Sequence, residues 1–162
     1  RRLSMQAAMP TRLAAWLIDR HERAANQLSI IKRWRSALSL SNEHRDEFNR
    51  LLQLMPSLDQ WAQLSVAERK RLAAHPNWDQ SLILFEAIQG DAAMIRRDTD
   101  QLASDGIGLA PAPLLTGDDL IHAEFEPGPR FKTLLDQAYD QQLEGRLETR
   151  EQALAWLDSQ SR

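Results

Sequence analysis

Hydrophobic and polar positions follow a helical period along most of the chain, and no stretch shows a convincing alternation of two. The clearest helix lies between Gly128-Pro129 and Gly145. Proline suits a first helical position because its missing N–H would have no partner there, and glycine suits the position after a helix end. The apolar face of this helix is formed by Phe131, Leu134, Leu135, Ala138 and Tyr139. The pattern predicts an all-α fold, a multi-helix array followed by a small three-helix unit.

Two capping boxes predict the other helices of the small unit. Thr116 and Asp119 stand in N-cap and N3 relation, so a short helix should begin at Gly117. Thr149 and Gln152 stand in the same relation ahead of the last helix. Its apolar stripe is formed by Ala153, Leu154, Trp156 and Leu157.

The first forty residues show two helical stripes. One follows Pro10 and the other runs to Ser39. The stripes consist of Leu13, Trp16, Leu17 and Ala24, and of Leu28, Ile31, Trp34 and Leu38.

Four further helices are predicted from caps and breakers. Ser41 or Asn42 caps a helix that should continue to about Leu54, because Pro56 disfavours helix in the residue before it. Ser65 and Glu68 form a capping box for a short basic helix through Ala74. The remaining two are a helix opened by Asn77 and Gln80, with a core face of Trp78, Leu82, Phe85 and Ile88, and one from about Ala92 to Ser104.

The stretch from Asp105 to Pro113, DGIGLAPAP, cannot propagate a helix because it holds two glycines and two prolines. It is therefore the predicted domain boundary. On this interpretation residues 1–106 form a helical body and residues 111–162 form the C-terminal tail helices.

The same residues carry a resemblance. Leu115 to Ile121 (LLTGDDLI without its first leucine), Pro127 to Phe131 (PGPRF), Gln142 to Gly145 (QLEG) and Thr149 to Leu157 (TREQALAWL) stand in the order found in one family. The chain resembles the C-terminal body and tail of the class II tRNA nucleotidyltransferase and poly(A) polymerase family. Residues 34–48 and 75–91 are similar to segments upstream, so the resemblance covers roughly residues 32–157.

The resemblance implies a function in RNA 3′-end synthesis. In the family, body and tail grip the acceptor arm and elbow of tRNA, while a catalytic head adds nucleotides using Mg²⁺ and a nucleoside triphosphate, ATP or CTP. The chain begins Arg1-Arg2 without methionine, which favours a piece of a longer protein whose head is absent. The fragment itself is expected to bind no cofactor and to have no catalysis, and the residues present do not distinguish CCA addition from poly(A) addition.

Charge is unevenly distributed. Residues 1–40 hold eight Lys/Arg against two Asp/Glu, a net +6, whereas the rest holds 12 against 21, a net −9. A phosphate backbone would be attracted locally and repelled elsewhere. The candidate RNA-binding residues form three basic clusters: Lys32, Arg33 and Arg35; Arg69, Lys70 and Arg71; Arg130 and Lys132. The alternative is that these cations only solvate exposed helix faces.

Other chemistry finds little support. The chain has no cysteine, which excludes disulfides, thiolate zinc sites and a cysteine nucleophile. Asp118-Asp119 lies at a helix start and is interpreted as a cap, and Asp98-Thr99-Asp100 lies mid-helix, where residues i and i+2 face different ways. The four histidines are far apart, so no metal site is predicted. Apolar runs are too short to span a bilayer, and a cytoplasmic protein without membrane partners is expected.

A different class of function stays open. The chain could be a stand-alone, non-catalytic helical module that docks a partner protein through the apolar surface of its first forty residues. An exposed Trp16/Leu17 face or self-association would favour this alternative. A third explanation is that this surface is exposed only because a preceding neck is missing. The other tryptophans are expected mostly in the core.

Overall fold

The computed structural model describes residues 3, 6–20, 41–89 and 91–160, with the side chains of 17–20 and 89 left aside. Within these residues the ordered structure is helical and contains no strand, which confirms the predicted all-α multi-helix array. The second predicted stripe, residues 28–39, lies outside the described residues. The helices are α1 (Met9–Arg20), α2 (Asn42–Asp59), α3 (Val66–Ala73), α4 (Trp78–Gln89), α5 (Ala93–Ser104), α6 (Gly117–His122), α7 (Pro129–Leu143) and α8 (Arg150–Gln160), with a 3₁₀ turn at Trp61–Gln63.

The caps predicted from the sequence set several helix starts. Ser65 and Glu68 form a reciprocal box at α3, in which the Glu68 carboxylate accepts from the Ser65 N–H at 2.8 Å. Ser41 accepts from the His44 N–H at 3.2 Å ahead of α2. At α8 the Gln152 side chain accepts from the Thr149 N–H at 3.3 Å, and the Gln152 N–H donates to the Thr149 hydroxyl. These predictions are confirmed because each cap satisfies N–H groups that the helix leaves without a partner.

The predicted end of α2 is wrong. Helix α2 continues through Pro56 to Asp59 instead of ending near Leu54. Proline removes one helical hydrogen bond, but Leu58 in the following turn is fully packed and the Gln60 N–H bonds the Pro56 carbonyl at 3.2 Å. Burial of Leu58 therefore offsets the proline at this position.

The chain forms two compact units, Arg1–Gln63 with His75–Asp98, and Leu64–Ala74 with Thr99–Arg162. The sequence analysis assigned Leu64–Ala74 and Thr99–Ser104 to residues 1–106, whereas these segments group with the C-terminal helices. The proposed domain boundary at 106–111 stays a prediction.

In the first unit, α1, α2 and α4 pack together around a small apolar core. Gln80 of α4 joins the start of α1, since its side-chain oxygen accepts from the Ala8 N–H at 2.9 Å and from the Thr11 hydroxyl at 2.7 Å. Trp61 is buried with its ring centroid 5.4 Å from that of Trp78. The core residues are Ala14, Phe48, Leu51 and Leu84, with Leu13, Leu52, Met55 and Ile88 packed against them.

In the second unit, α6, α7 and α8 bury a leucine-rich core, and α3 packs on α7. Helix α7 ends at Gly145, whose φ is +71°, and the N–H groups of Gly145 and Arg146 bond the carbonyls of Gln142 and Gln141. This double hydrogen bond is the Schellman ending that glycine permits. The core residues are Leu115, Leu120, Leu134, Ala138, Leu147, Ala153 and Leu157.

The extended residues 111–115, which we call the strap, lie along α7 before α6 begins. Tyr139 donates its hydroxyl to the Pro111 carbonyl at 3.0 Å. Gln142 donates to the Ala112 carbonyl at 2.8 Å and accepts from the Leu114 N–H at 3.0 Å. The strap is thus held through its backbone by two side chains one turn apart on α7.

None of the described helices is both long enough and apolar enough to cross a membrane.

Candidate functional site

Of the three basic clusters, the cluster of Lys32, Arg33 and Arg35 lies outside the described residues. The other two clusters are in the second unit. Their side chains differ in exposure and in the partners they already have.

Arg71 is bound within the second unit. Its Nε donates to Asp140 Oδ1 at 2.7 Å and its Nη2 to the Asp136 carbonyl at 3.3 Å. The guanidinium also lies 4.9 Å from the centroid of the Tyr139 ring, within cation–π range. Arg71 therefore joins α3 to α7, and much of its charge is offset by Asp140.

Lys70 lies on the buried face of α3, between Ala67 and Ala73, and is only 3% exposed. Lysine buries its methylene stem readily while its ammonium reaches solvent. Little of this side chain is left to meet a phosphate. Arg69, on the same helix, is half-buried.

Arg130 lies at the first turn of α7 and reaches the other end of the unit's last helix. Its Nη2 donates to the Gln160 carbonyl at 2.9 Å, and its guanidinium stands 5.4 Å from the centroid of the Phe125 ring. A cation at a helix C-terminus complements the negative end of the helix dipole. Lys132 is exposed on the same helix.

A shallow cleft of about 520 Å³ adjoins Arg130 and is lined by residues 123–130 of the α6–α7 loop. Glu124 takes a left-handed φ of +61° in this loop, and the Phe125 N–H bonds the Leu120 carbonyl at 3.0 Å. Glu124, Glu126 and Arg130 give the cleft walls of both signs.

Asp119 is confirmed as a cap and has a further partner. Its carboxylate accepts from the Thr116 N–H at 2.8 Å and hydroxyl at 2.9 Å, and it is only 6% exposed. Arg150 of α8 donates to both carboxylate oxygens. Burial by itself would raise the pKa of Asp119, but the hydrogen bonds from Thr116 and Arg150 outweigh it, and the pKa lies below its ordinary value.

The Asp98-Thr99-Asp100 segment lies within α5, as expected, and has a structural contact. Asp98 Oδ2 accepts from Trp61 Nε1 at 2.8 Å inside the first unit. In the parts of the chain that the structure describes, no group of three or more His, Cys, Asp or Glu could hold a metal ion.

Two contributions escaped the sequence analysis: Arg150 as the partner of Asp119, and Gln142 as the residue that holds the strap. Gln142 is buried, which is uncommon for glutamine, and a polar residue at a predicted core position of α7 was the available signal. Arg150 gave no such signal, because an arginine after an N-cap threonine is ordinary.

Comparison of the chain with protein-family models, with curated proteins and with solved structures gave no match.

Proposed function

We propose that this chain is the RNA-holding C-terminal region of a tRNA nucleotidyltransferase or poly(A) polymerase, in which it grips the acceptor arm and elbow of tRNA. The support is the ordered set of motifs between residues 32 and 157, together with the +6 charge of residues 1–40. A catalytic head elsewhere in the parent protein would add the nucleotides.

The ion pairs favour the basic front over the second unit as the phosphate contact. Arg71, Arg96, Arg146 and Arg150 each pair with a carboxylate of this chain, and Arg130 donates to a helix end. A cation that already has a partner gains less from a phosphate, since binding must first break its own pair. Lys32, Arg33 and Arg35 are therefore the residues to test first.

The experiment measures binding of labelled tRNA by the full chain at several salt concentrations. Replacing Lys32, Arg33 and Arg35 by alanine should weaken binding and reduce the slope of log K against log salt by up to roughly three times 0.9, if each cation meets a duplex phosphate. The matched control removes three paired cations, Arg71→Gln, Arg96→Gln and Arg146→Gln, and should leave the slope nearly unchanged. An unchanged slope in the first variant, or an equal loss in the control, would overturn the assignment.

The parent protein can be tested separately. An antibody raised against this chain should detect a native species well above 18.5 kDa in its source extract. That longer protein is then expected to extend a tRNA 3′ end in the presence of Mg²⁺ with ATP or CTP. A native species of 18.5 kDa would contradict the proposal of a catalytic head.

One observation favours the second candidate, a helical module that docks a partner protein. Trp16 on α1 is 41% exposed, an unusual position for a large aromatic side chain. If this face docks a partner, Trp16→Gln should abolish self-association or capture by that partner while leaving the fold intact. Sedimentation of the wild-type chain and of the variant distinguishes the two, and a wild-type chain that stays monomeric and binds tRNA favours RNA.

A further inference from the structure

The strap is recognised through its backbone. The three hydrogen bonds from Tyr139 and Gln142 all end on main-chain atoms of residues 111, 112 and 114. Arg150 adds a fourth, from Nη1 to the Leu114 carbonyl at 3.1 Å. The side chains of Ala112 and Pro113 are exposed and contribute little. Contacts of this kind do not depend on the sequence of the bound segment, apart from its ability to stay extended.

Gln142 does what a neighbouring strand does in a sheet, since one amide group serves a C=O and the N–H two residues later. It is buried, and both its oxygen and its nitrogen are used. Buried polar groups with complete hydrogen bonding fix one arrangement strongly. The face of α7 with Tyr139 and Gln142 thus has the features by which proteins bind extended peptides: main-chain hydrogen bonds, an aromatic side chain, and an apolar site for one residue, here Leu115.

The two prolines define the chemistry of the ligand. Pro111 and Pro113 have no N–H to leave without a partner, and proline holds a segment extended before it binds. Leucine two positions after the second proline enters the core of the second unit. The segment that fits is therefore Pro-x-Pro-x-Leu in extended conformation.

We propose that this face of α7 is a binding groove for extended Pro-x-Pro-x-Leu peptides of other chains, and that the strap is its intramolecular ligand. The strap follows Gly106 and Gly108, whose φ values are +37° and +69° and whose surroundings leave room. These glycines give the chain a pivot at which the strap can leave. A tethered ligand has a high effective concentration, so an external peptide competes only weakly until the strap is weakened.

The test uses a fluorescent peptide with the sequence of residues 108–117 and measures its anisotropy with the full chain. Leu114→Pro removes the N–H that Gln142 accepts from and so weakens the strap, but leaves the groove unchanged. The peptide should bind this variant at least about tenfold more tightly than it binds the wild-type chain. Adding Gln142→Ala should reduce that affinity about tenfold or more, whereas Gln137→Ala, an exposed glutamine of the same helix, should not.

A measurement on the wild-type chain covers the case in which Leu114→Pro prevents folding. An excess of the peptide should accelerate hydrogen exchange at the Leu114 amide, because the displaced strap loses its bond to Gln142. A peptide of scrambled sequence is the control. Unchanged exchange, equal effects of the two peptides, or binding to Leu114→Pro that is insensitive to Gln142→Ala would each overturn the proposal.

Discussion

Arg150 and Asp119, 31 positions apart in the chain, form an ion pair in which both carboxylate oxygens are engaged. The same carboxylate caps α6 through Thr116, and the same guanidinium bonds the Leu114 carbonyl at 3.1 Å. One pair therefore connects the end of the strap, the start of α6 and the start of α8.

Asp119→Asn should lower the free energy of unfolding of the second unit by about 2 kcal/mol, because it removes the charge that Arg150 and the helix start both need. Arg150 is half-exposed and can be hydrated after the loss, which keeps the cost below that of a fully buried pair. Urea unfolding followed by circular dichroism measures the difference. The control is Asp118→Asn, an exposed neighbour in the same helical turn, with an expected change within about 0.5 kcal/mol. Equal effects of the two changes would contradict the role of the pair.

The stability of the second unit should fall in acid because of Asp119. Its pKa in the folded chain is lowered, so the unfolded chain binds the proton more tightly. The contribution is complete above the unfolded pKa of about 3.9 and is lost as the pH falls through the lower folded value. Unfolding measured between about pH 6 and pH 2 should show a steeper loss for the wild-type chain than for Asp119→Asn. Parallel curves would mean that other carboxylates cause the acid sensitivity.

Gly145→Ala should destabilise the chain by about 1 kcal/mol. Gly145 has a φ of +71° after α7, and alanine strains this left-handed conformation even though no atom lies close to the added Cβ. Gly117→Ala is the control, because Gly117 begins α6 without a positive φ and also has open space around it. Thermal unfolding should show a lower midpoint for Gly145→Ala and an unchanged or slightly higher one for Gly117→Ala. A loss in both variants would mean that side-chain room, not φ, is limiting.

Trp61→Phe should cost the first unit about 2 kcal/mol, because it removes the N–H that donates to Asp98 at 2.8 Å and leaves space beside Trp78. Trp156→Phe in α8 is the comparison, since Trp156 is only partly buried. Chemical unfolding monitored by the fluorescence of the remaining tryptophans separates the two. The assigned role of the hydrogen bond is rejected if Trp61→Phe is neutral.

Helix starts could be read from the sequence because a cap depends on residues three positions apart. Ser65 with Glu68, Thr116 with Asp119 and Thr149 with Gln152 each form their box as expected. The Asp119–Arg150 pair could not be read, since nothing local indicates which of the cations reaches the cap.

The end of α2 and the burial of Lys70 show how tertiary packing overrides local signals. Pro56 predicted a helix end, but Leu58 packs beyond it. Lys70 stands between Arg69 and Arg71 in a run that reads as a solvated face, yet it occupies the position between Ala67 and Ala73 on the buried side of α3. The candidate RNA-binding residues of residues 32–35 remain predictions.

Gln142 has a consequence for solubility. An extended segment with free main-chain groups can recruit a strand from another molecule and start an intermolecular sheet. In the strap those groups at Ala112 and Leu114 are already bonded by Gln142, and Pro111 and Pro113 have no N–H to offer. The one described stretch that runs extended between helices is thereby protected against cross-β aggregation by a side chain of its own unit.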